Sequence, residues 1–232
     1  ITARAISVTA MAGTKVYDGS TSAATVPAIT AGTLAAGDSA AWTESYDTKH
    51  VGTGKTLIPA GSVSDGNGGA NHSVAFVNNT GGAITARPIT VTAAANTKPY
   101  DGNTGAAAVP TVTSGSLATG DTATWTETYD TKNVDTGKAL TPAGSVSDGN
   151  GGANYDVTFL PNLQGTITAR ALTVTATGEN KVYDGTTAAT VTLFDDRVAG
   201  AALTVTYPSA PFADQHVDAA NSVSVGGITV AG

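Results

Sequence analysis

The stretch TWTETY, Thr124 to Tyr129, alternates residue by residue: Trp125, Glu127 and Tyr129 fall on one face and three threonines on the other. A period of two marks a strand with one side against a core and the other in water. The same alternation runs through ALTVTA from Ala171 and NYDVTF from Asn154, which aligns Tyr155, Val157 and Phe159; GTITA from Gly165 aligns Ile167 with Ala169. Between these runs stand Asp-Gly, Gly-Asp and Gly-Gly pairs, which supply the positive φ that tight turns need. No segment holds a 3.6-residue apolar stripe beyond one or two turns; the best, SGSLATGD from Ser114, predicts a single helical turn. The expected fold class is all-β.

Composition agrees. Of 232 residues only 12% are charged, and the 41% that are hydrophobic are mostly Ala and Val. That mixture suits short strands and polar turns better than a helical bundle. A net charge of −7 and scattered basic residues exclude a nucleic-acid surface, which needs clustered Lys and Arg. There is no cysteine, hence no disulfide framework and no thiolate metal site. No apolar run approaches the roughly 20 residues that span a bilayer, so no membrane insertion is expected of this segment.

Repetition is the strongest signal. ITAR starts at Ile1, Ile84 and Ile167, a spacing of 83 residues, and Tyr17-Asp18-Gly19, Tyr100-Asp101-Gly102 and Tyr183-Asp184-Gly185 keep the same interval. WTE recurs at Trp42 and Trp125, and PAGSVSDGNGGAN at Pro59 and Pro142; the third repeat diverges after Thr190. A period of roughly 80 residues exceeds the 20–50 of solenoid units, so each repeat is read as a small domain. The expected domains are 1–86, 87–169 and 170–232, the last incomplete at its C-terminus. GTITAR of one repeat runs straight into ALTVTA of the next without a Gly/Ser or Pro-rich spacer. Such junctions predict an elongated, monomeric rod, each domain roughly 35–45 Å long.

These words resemble a known family. KVYDG, the segments KHVGTGK (Lys49 to Lys55) and KNVDTGK (Lys132 to Lys138), and GANHSV (Gly69 to Val74) and GANYDV (Gly152 to Val157) are similar to the YDG-type repeats of large bacterial surface and secreted adhesins. These include filamentous-haemagglutinin-like exoproteins and are related to mucin-binding β-grasp-like modules. Repeat 3 departs from the pattern, carrying QHVDAAN (Gln215 to Asn221) at the middle segment. The resemblance implies an extracellular stalk, with neighbouring repeats as partners, and leaves the topology open between an immunoglobulin-like β-sandwich and a β-grasp-like sheet. The rival reading is a multivalent glycan-binding array presenting Trp42 and Trp125.

Individual candidates are few. Tyr-Asp-Gly reads as a turn: Tyr at the core edge, Asp bonding its own backbone, Gly left-handed. Lys98 and Tyr100, two apart, would share a face and let the lysine stem lie along the ring. A lysine–amide cross-link would pair Lys98 with Asn154, or Lys15 with Asn71, promoted by Asp101 or Asp18. SDGNGGAN (Ser64 to Asn71, Ser147 to Asn154) partly resembles a calcium loop but lacks a bidentate glutamate, and reads as a Gly-rich turn. His50, His72 and His216 are expected at the surface. Glu44 and Glu127 each lack the paired carboxylate that glycoside hydrolysis needs. No catalytic residue, metal or cofactor is expected, and the chain does not read as an enzyme.

Overall fold

The computed structural model of the protein describes residues 1–217 and 221–232, so the QHVDAAN segment of repeat 3 lies partly outside the described residues. The chain divides into two compact units, one of residues 1–95, 106–128 and 140–162, the other of residues 96–105, 129–139 and 163–232. Among the described residues there is no helix.

Repeat 1, wholly in the first unit, shows the plan. Its strands are β1 (Arg4–Thr9), β2 (Thr14–Val16), β3 (Ala28–Ala31), β4 (Ser39–Tyr46), β5 (Gly52–Ser64), β6 (His72–Val77) and β7 (Asn79–Thr85). They form two sheets, ordered β3-β1-β6 and β2-β7-β5-β4. β1 runs parallel to β6, from Arg4↔His72 to Thr9↔Val77, and β2 runs parallel to β7, from Thr14↔Ala83 to Val16↔Thr85. The other pairings are antiparallel. The first and last strands thus lie side by side, each passing from one sheet into the other, and the chain enters and leaves repeat 1 at opposite ends of this pair. Repeat 1 thus has two small sheets, each with one parallel pairing between the strands of its beginning and its end, and no helix beside them.

Two apolar clusters hold this unit. One gathers Ile6, Val8 and Val63 with the flanking Trp42; the other gathers Tyr17, Tyr46, Leu57 and Ile84 with Ile89, Val91, Val146 and Tyr155 from repeat 2. Trp42 lies opposite Gly61, whose φ of 142° keeps the strand open and where a Cβ would meet the indole at 2.6 Å. The ring fills the space the glycine leaves.

Repeat 2 supplies β8 (Arg87–Thr92), β9 (Asn96–Pro99), β10 (Thr111–Ser114), β11 (Thr122–Tyr129), β12 (Asp135–Ser147), β13 (Tyr155–Leu160) and β14 (Asn162–Thr168). In the first unit β10-β8-β13 reproduces the first sheet of repeat 1, with β8 parallel to β13. In the second unit β9 pairs parallel with β14, from Asn96↔Gly165 to Pro99↔Thr168. That unit also holds β15 (Val174–Gly178) against β16 (Val191–Asp195), and β17 (Thr204–Thr206) against β18 (Thr229–Ala231), both antiparallel. The helical turn expected at Ser114–Asp121 does not form. That segment is a loop closed by the Asp121 amide on the Ala118 carbonyl, because Gly115 and Gly120 both take positive φ.

Candidate functional site

Each Lys-x-Tyr-Asp-Gly word builds one turn in one way. Gly19, Gly102 and Gly185 have φ of 83°, 81° and 77°. Asp18 Oδ1 accepts the Ser20 amide at 2.8 Å, and the Asp101 and Asp184 carboxylates accept the amides of Asn103 and Thr186. The lysine ammonium then closes the turn from inside. Lys15 Nζ donates to Asp18 and to the Ser20 carbonyl, both at 2.8 Å. Lys98 Nζ reaches Asp101, the Asn103 carbonyl and the Gly105 carbonyl, and Lys181 Nζ reaches Asp184 and the Thr186 carbonyl. The Lys181 ammonium and the Thr186 amide hold the Asp184 carboxyl down at about 2. The ring under each ammonium comes from a distant strand or loop: Tyr46 at 5.5 Å, Tyr129 at 5.4 Å and Phe212 at 5.7 Å. This corrects the expected Lys98–Tyr100 contact. Tyr100 begins the turn, and the ring beneath the Lys98 ammonium is that of Tyr129.

In the first unit the tyrosine released from that cage enters repeat 2. Tyr17 has no exposed surface. Its hydroxyl donates to Asp121 Oδ2 at 3.0 Å, and its ring meets Tyr155 edge to face at 5.5 Å and 74°. The Tyr155 hydroxyl donates to the same Asp121 oxygen at 2.6 Å and accepts the Ala118 amide at 2.8 Å. Burial, then Asp121, push both phenols up to about 12. A Cβ on Gly19 would lie 3.2 Å from that of Ala118. Arg87, the last residue of ITAR, braces the seat: its guanidinium donates to the Ser116 carbonyl and hydroxyl at 2.6 and 2.7 Å and to the Tyr17 carbonyl at 3.4 Å. The β4–β5 hairpin makes a second contact. The Val51 amide donates to Asn154 Oδ1 at 3.0 Å, and His50 Nδ1 lies 3.2 Å from Asn154 Nδ2.

The three tyrosines differ. In the second unit Tyr100 is half-buried beside a cavity of about 480 Å³ that Arg170, Leu172, Val198 and Leu203 also line. A Cβ on Gly102 would lie 2.7 Å from Val198. Tyr183 is 61% exposed.

The other candidates resolve as follows. In SDGNGGAN, burial disfavours the Asp65 charge, but the amides of Asn67, Gly69 and Asn71 outweigh it and hold the carboxyl at about 2. Asp148 takes the amides of Asn150, Gly152 and Asn154 in the same manner. These carboxylates are turned onto their own backbone, forming the Gly-rich turn expected. Among the described residues no group of three or more His, Asp or Glu is placed to hold a metal ion. Lys15 and Asn71 do not meet, since Lys15 is held in its own turn and Asn71 within residues 65–71. Lys98 and Asn154 likewise have their bonds elsewhere, in the 101–105 turn and with Val51, His50 and Asp148.

Two histidine expectations fail. His72 is buried, 3.6 Å from both Asp38 and Asp65, and His50 is half-buried against Asn154; His216 is exposed as expected. Glu44 and Glu127 point inward, each accepting one amide, from Met11 and from Ala94, at 2.8 Å. Thr25 bonds the second oxygen of Glu44, whereas Glu127 Oε1 has no partner and burial raises its pKa. Trp42 and Trp125 are half-buried, edge-on to Phe76 and Phe159 at 5.8 Å, so they are neither enclosed nor free.

Sequence reasoning missed Asp121, Ser116 and Arg87 as parts of the junction. Their signal was present: Gly-Asp precedes the tryptophan strand in both complete repeats, at Asp38 and Asp121, and ITAR carries an arginine at 4, 87 and 170. No curated protein and no solved structure matches the chain. The model of the YDG domain family matches it three times, over residues 2–80, 85–162 and 168–232, so nearly every residue of all three repeats is covered. With its three lysine-closed turns, the chain belongs to the YDG domain family.

Proposed function

We propose that this chain is a spacer segment of a bacterial cell-surface or secreted adhesin, one that holds a distal binding module away from the cell. One observation carries the reading: in repeat 1 the groups that make the repeat recognisable are consumed in structure. Lys15 and Asp18 close their own turn, and Tyr17 is wholly buried in a cluster that both repeats supply. A ligand site would leave such groups reachable. A sparsely charged, Thr-lined outer surface fits a segment whose role is reach rather than recognition.

A second reading, a multivalent glycan array, draws on the half-exposed Trp–Phe pairs. Deleting one YDG repeat at a time from the parent protein separates the two. A spacer keeps its affinity for soluble ligand at every length and loses adhesion between surfaces as reach shortens. An array loses affinity for soluble glycan with every repeat removed.

A further inference from the structure

Glutamate is rare in this chain, three in 232 residues, and two of the three hold the same place in consecutive repeats. Glu44 and Glu127 are 5% and 2% exposed, and each accepts one loop amide, from Met11 or from Ala94. A carboxyl buried this far needs partners for both oxygens. Repeat 1 supplies the second with the Thr25 hydroxyl. The residue 83 positions after Thr25 is Ala108, which has no hydroxyl, and Glu127 Oε1 is left without a partner.

Among the described residues no charge makes up the difference. The Ala94 amide meets the Glu127 carboxyl and the Ala106 amide its carbonyl, and loops 93–95 and 106–110 hold only Ala, Val and Pro. Residues 140–147 of the adjoining strand β12 carry no titratable side chain. Charged and titratable groups farther out are engaged elsewhere: Lys98 with Asp101, Lys138 with Asp130, and the Tyr129 hydroxyl with the carbonyls of Asn96 and Thr166. Burial opposes the negative charge, only the Ala94 amide favours it, and the carboxyl is raised above its ordinary 4.5.

We propose that Glu127 is a proton switch built into repeat 2: protonated, it leaves the repeat at its tightest, and ionised, it loosens the repeat, so that acidification strengthens this segment. The direction follows from linkage. Between the unfolded and folded titration points the folded chain holds a proton that the unfolded chain has released, so stability falls as pH rises. The stabilisation is complete below 4.5 and is lost as pH climbs through the folded value. The switch belongs to one repeat and stands apart from the spacer reading, which the deletion series tests.

Carboxyl-carbon NMR of the whole chain labelled in glutamate reads the group directly, because only three signals arise and Glu127→Gln identifies the one that disappears. The Glu127 signal should titrate above 4.5. Urea unfolding from pH 4.5 to 8 reads the consequence, taken as the difference between the parent and Glu127→Gln so that the histidines cancel. Glutamine keeps the shape and carries no charge. Relative to that variant, the folding constant of the parent should fall by up to about tenfold per pH unit until the folded carboxyl has ionised. Thr25→Val, which takes the hydroxyl from Glu44 and keeps its shape, should move the Glu44 signal to higher pH. A Glu127 signal titrating at or below 4.5, parallel pH profiles for the parent and Glu127→Gln, or a Glu44 signal unmoved by Thr25→Val overturns the proposal.

Discussion

Tyr17, Tyr100 and Tyr183 occupy one position of one motif but three surroundings, so a single substitution made three times measures the junction. Tyr17→Ala removes a ring with no exposed surface and its edge-to-face partner in repeat 2. Truncating a buried aromatic costs about 3–5 kcal/mol. Tyr183→Ala, at 61% exposure, should fall within about 0.5 kcal/mol of neutral, and half-buried Tyr100 should lie between. Tyr17→Phe isolates the hydroxyl. A hydrogen bond to a charged group contributes about 1.5–3 kcal/mol, and the loss should sit at the low end because Asp121 keeps the Tyr155 hydroxyl. Urea unfolding followed by tryptophan emission reads both repeats, since Trp42 reports on repeat 1 and Trp125 on repeat 2. In the parent chain the two should unfold together, and in Tyr17→Ala apart. The junction also carries a pH signature. The folded phenols titrate near 12 against an ordinary 10.0, so their stabilisation is complete below pH 10 and is lost as pH climbs through 12. Equal costs for all three alanine substitutions would refute the account.

Gly102→Val combines a positive φ with a contact on Val198 and should cost roughly 1–3 kcal/mol, whereas Gly185→Val, with nothing near its Cβ, should show the backbone part alone; thermal melts compare them. Lys98→Met keeps the stem over Tyr129 but leaves Asp101 with the Asn103 amide alone and the Asn103 and Gly105 carbonyls without the ammonium, so unfolding should ease by about 1–3 kcal/mol. The intact mass of the parent should show no loss of ammonia. Asp65 is held near 2 against an ordinary 3.8, so the stability it brings is full above pH 4 and lost as pH falls toward 2; Asp65→Asn should flatten that acid limb.

Much of this was legible in the sequence. TWTETY alternates in the structure as its letters do, with Glu127 and Tyr129 buried, Trp125 half-buried and the threonines outward. The turn glycines take the positive φ that their Asp-Gly and Gly-Gly contexts implied. Periodicity assigns a side chain to a face, however, and says nothing of what lies opposite. That Lys98 would find Tyr129, or Tyr17 find Asp121 more than 100 residues later, depends on strand order and on the next repeat. His72 was misplaced for the same reason. A lone histidine before a strand reads as polar, but here it occupies the position that Tyr155 fills in the following repeat, beneath the 33–38 loop.

The parallel pairing of first and last strands determines how repeat 1 responds to a pull on its ends. Tension enters at Arg4 and leaves at Thr85, at opposite ends of two neighbouring strands that point the same way. The applied force therefore runs along the strands, across hydrogen bonds that lie transverse to it. From Arg4↔His72 to Thr9↔Val77, and again from Thr14↔Ala83 to Val16↔Thr85, these bonds are stressed together in shear. A hairpin pulled from its open end gives way one bond at a time. This arrangement must lose the whole row before either strand can slide.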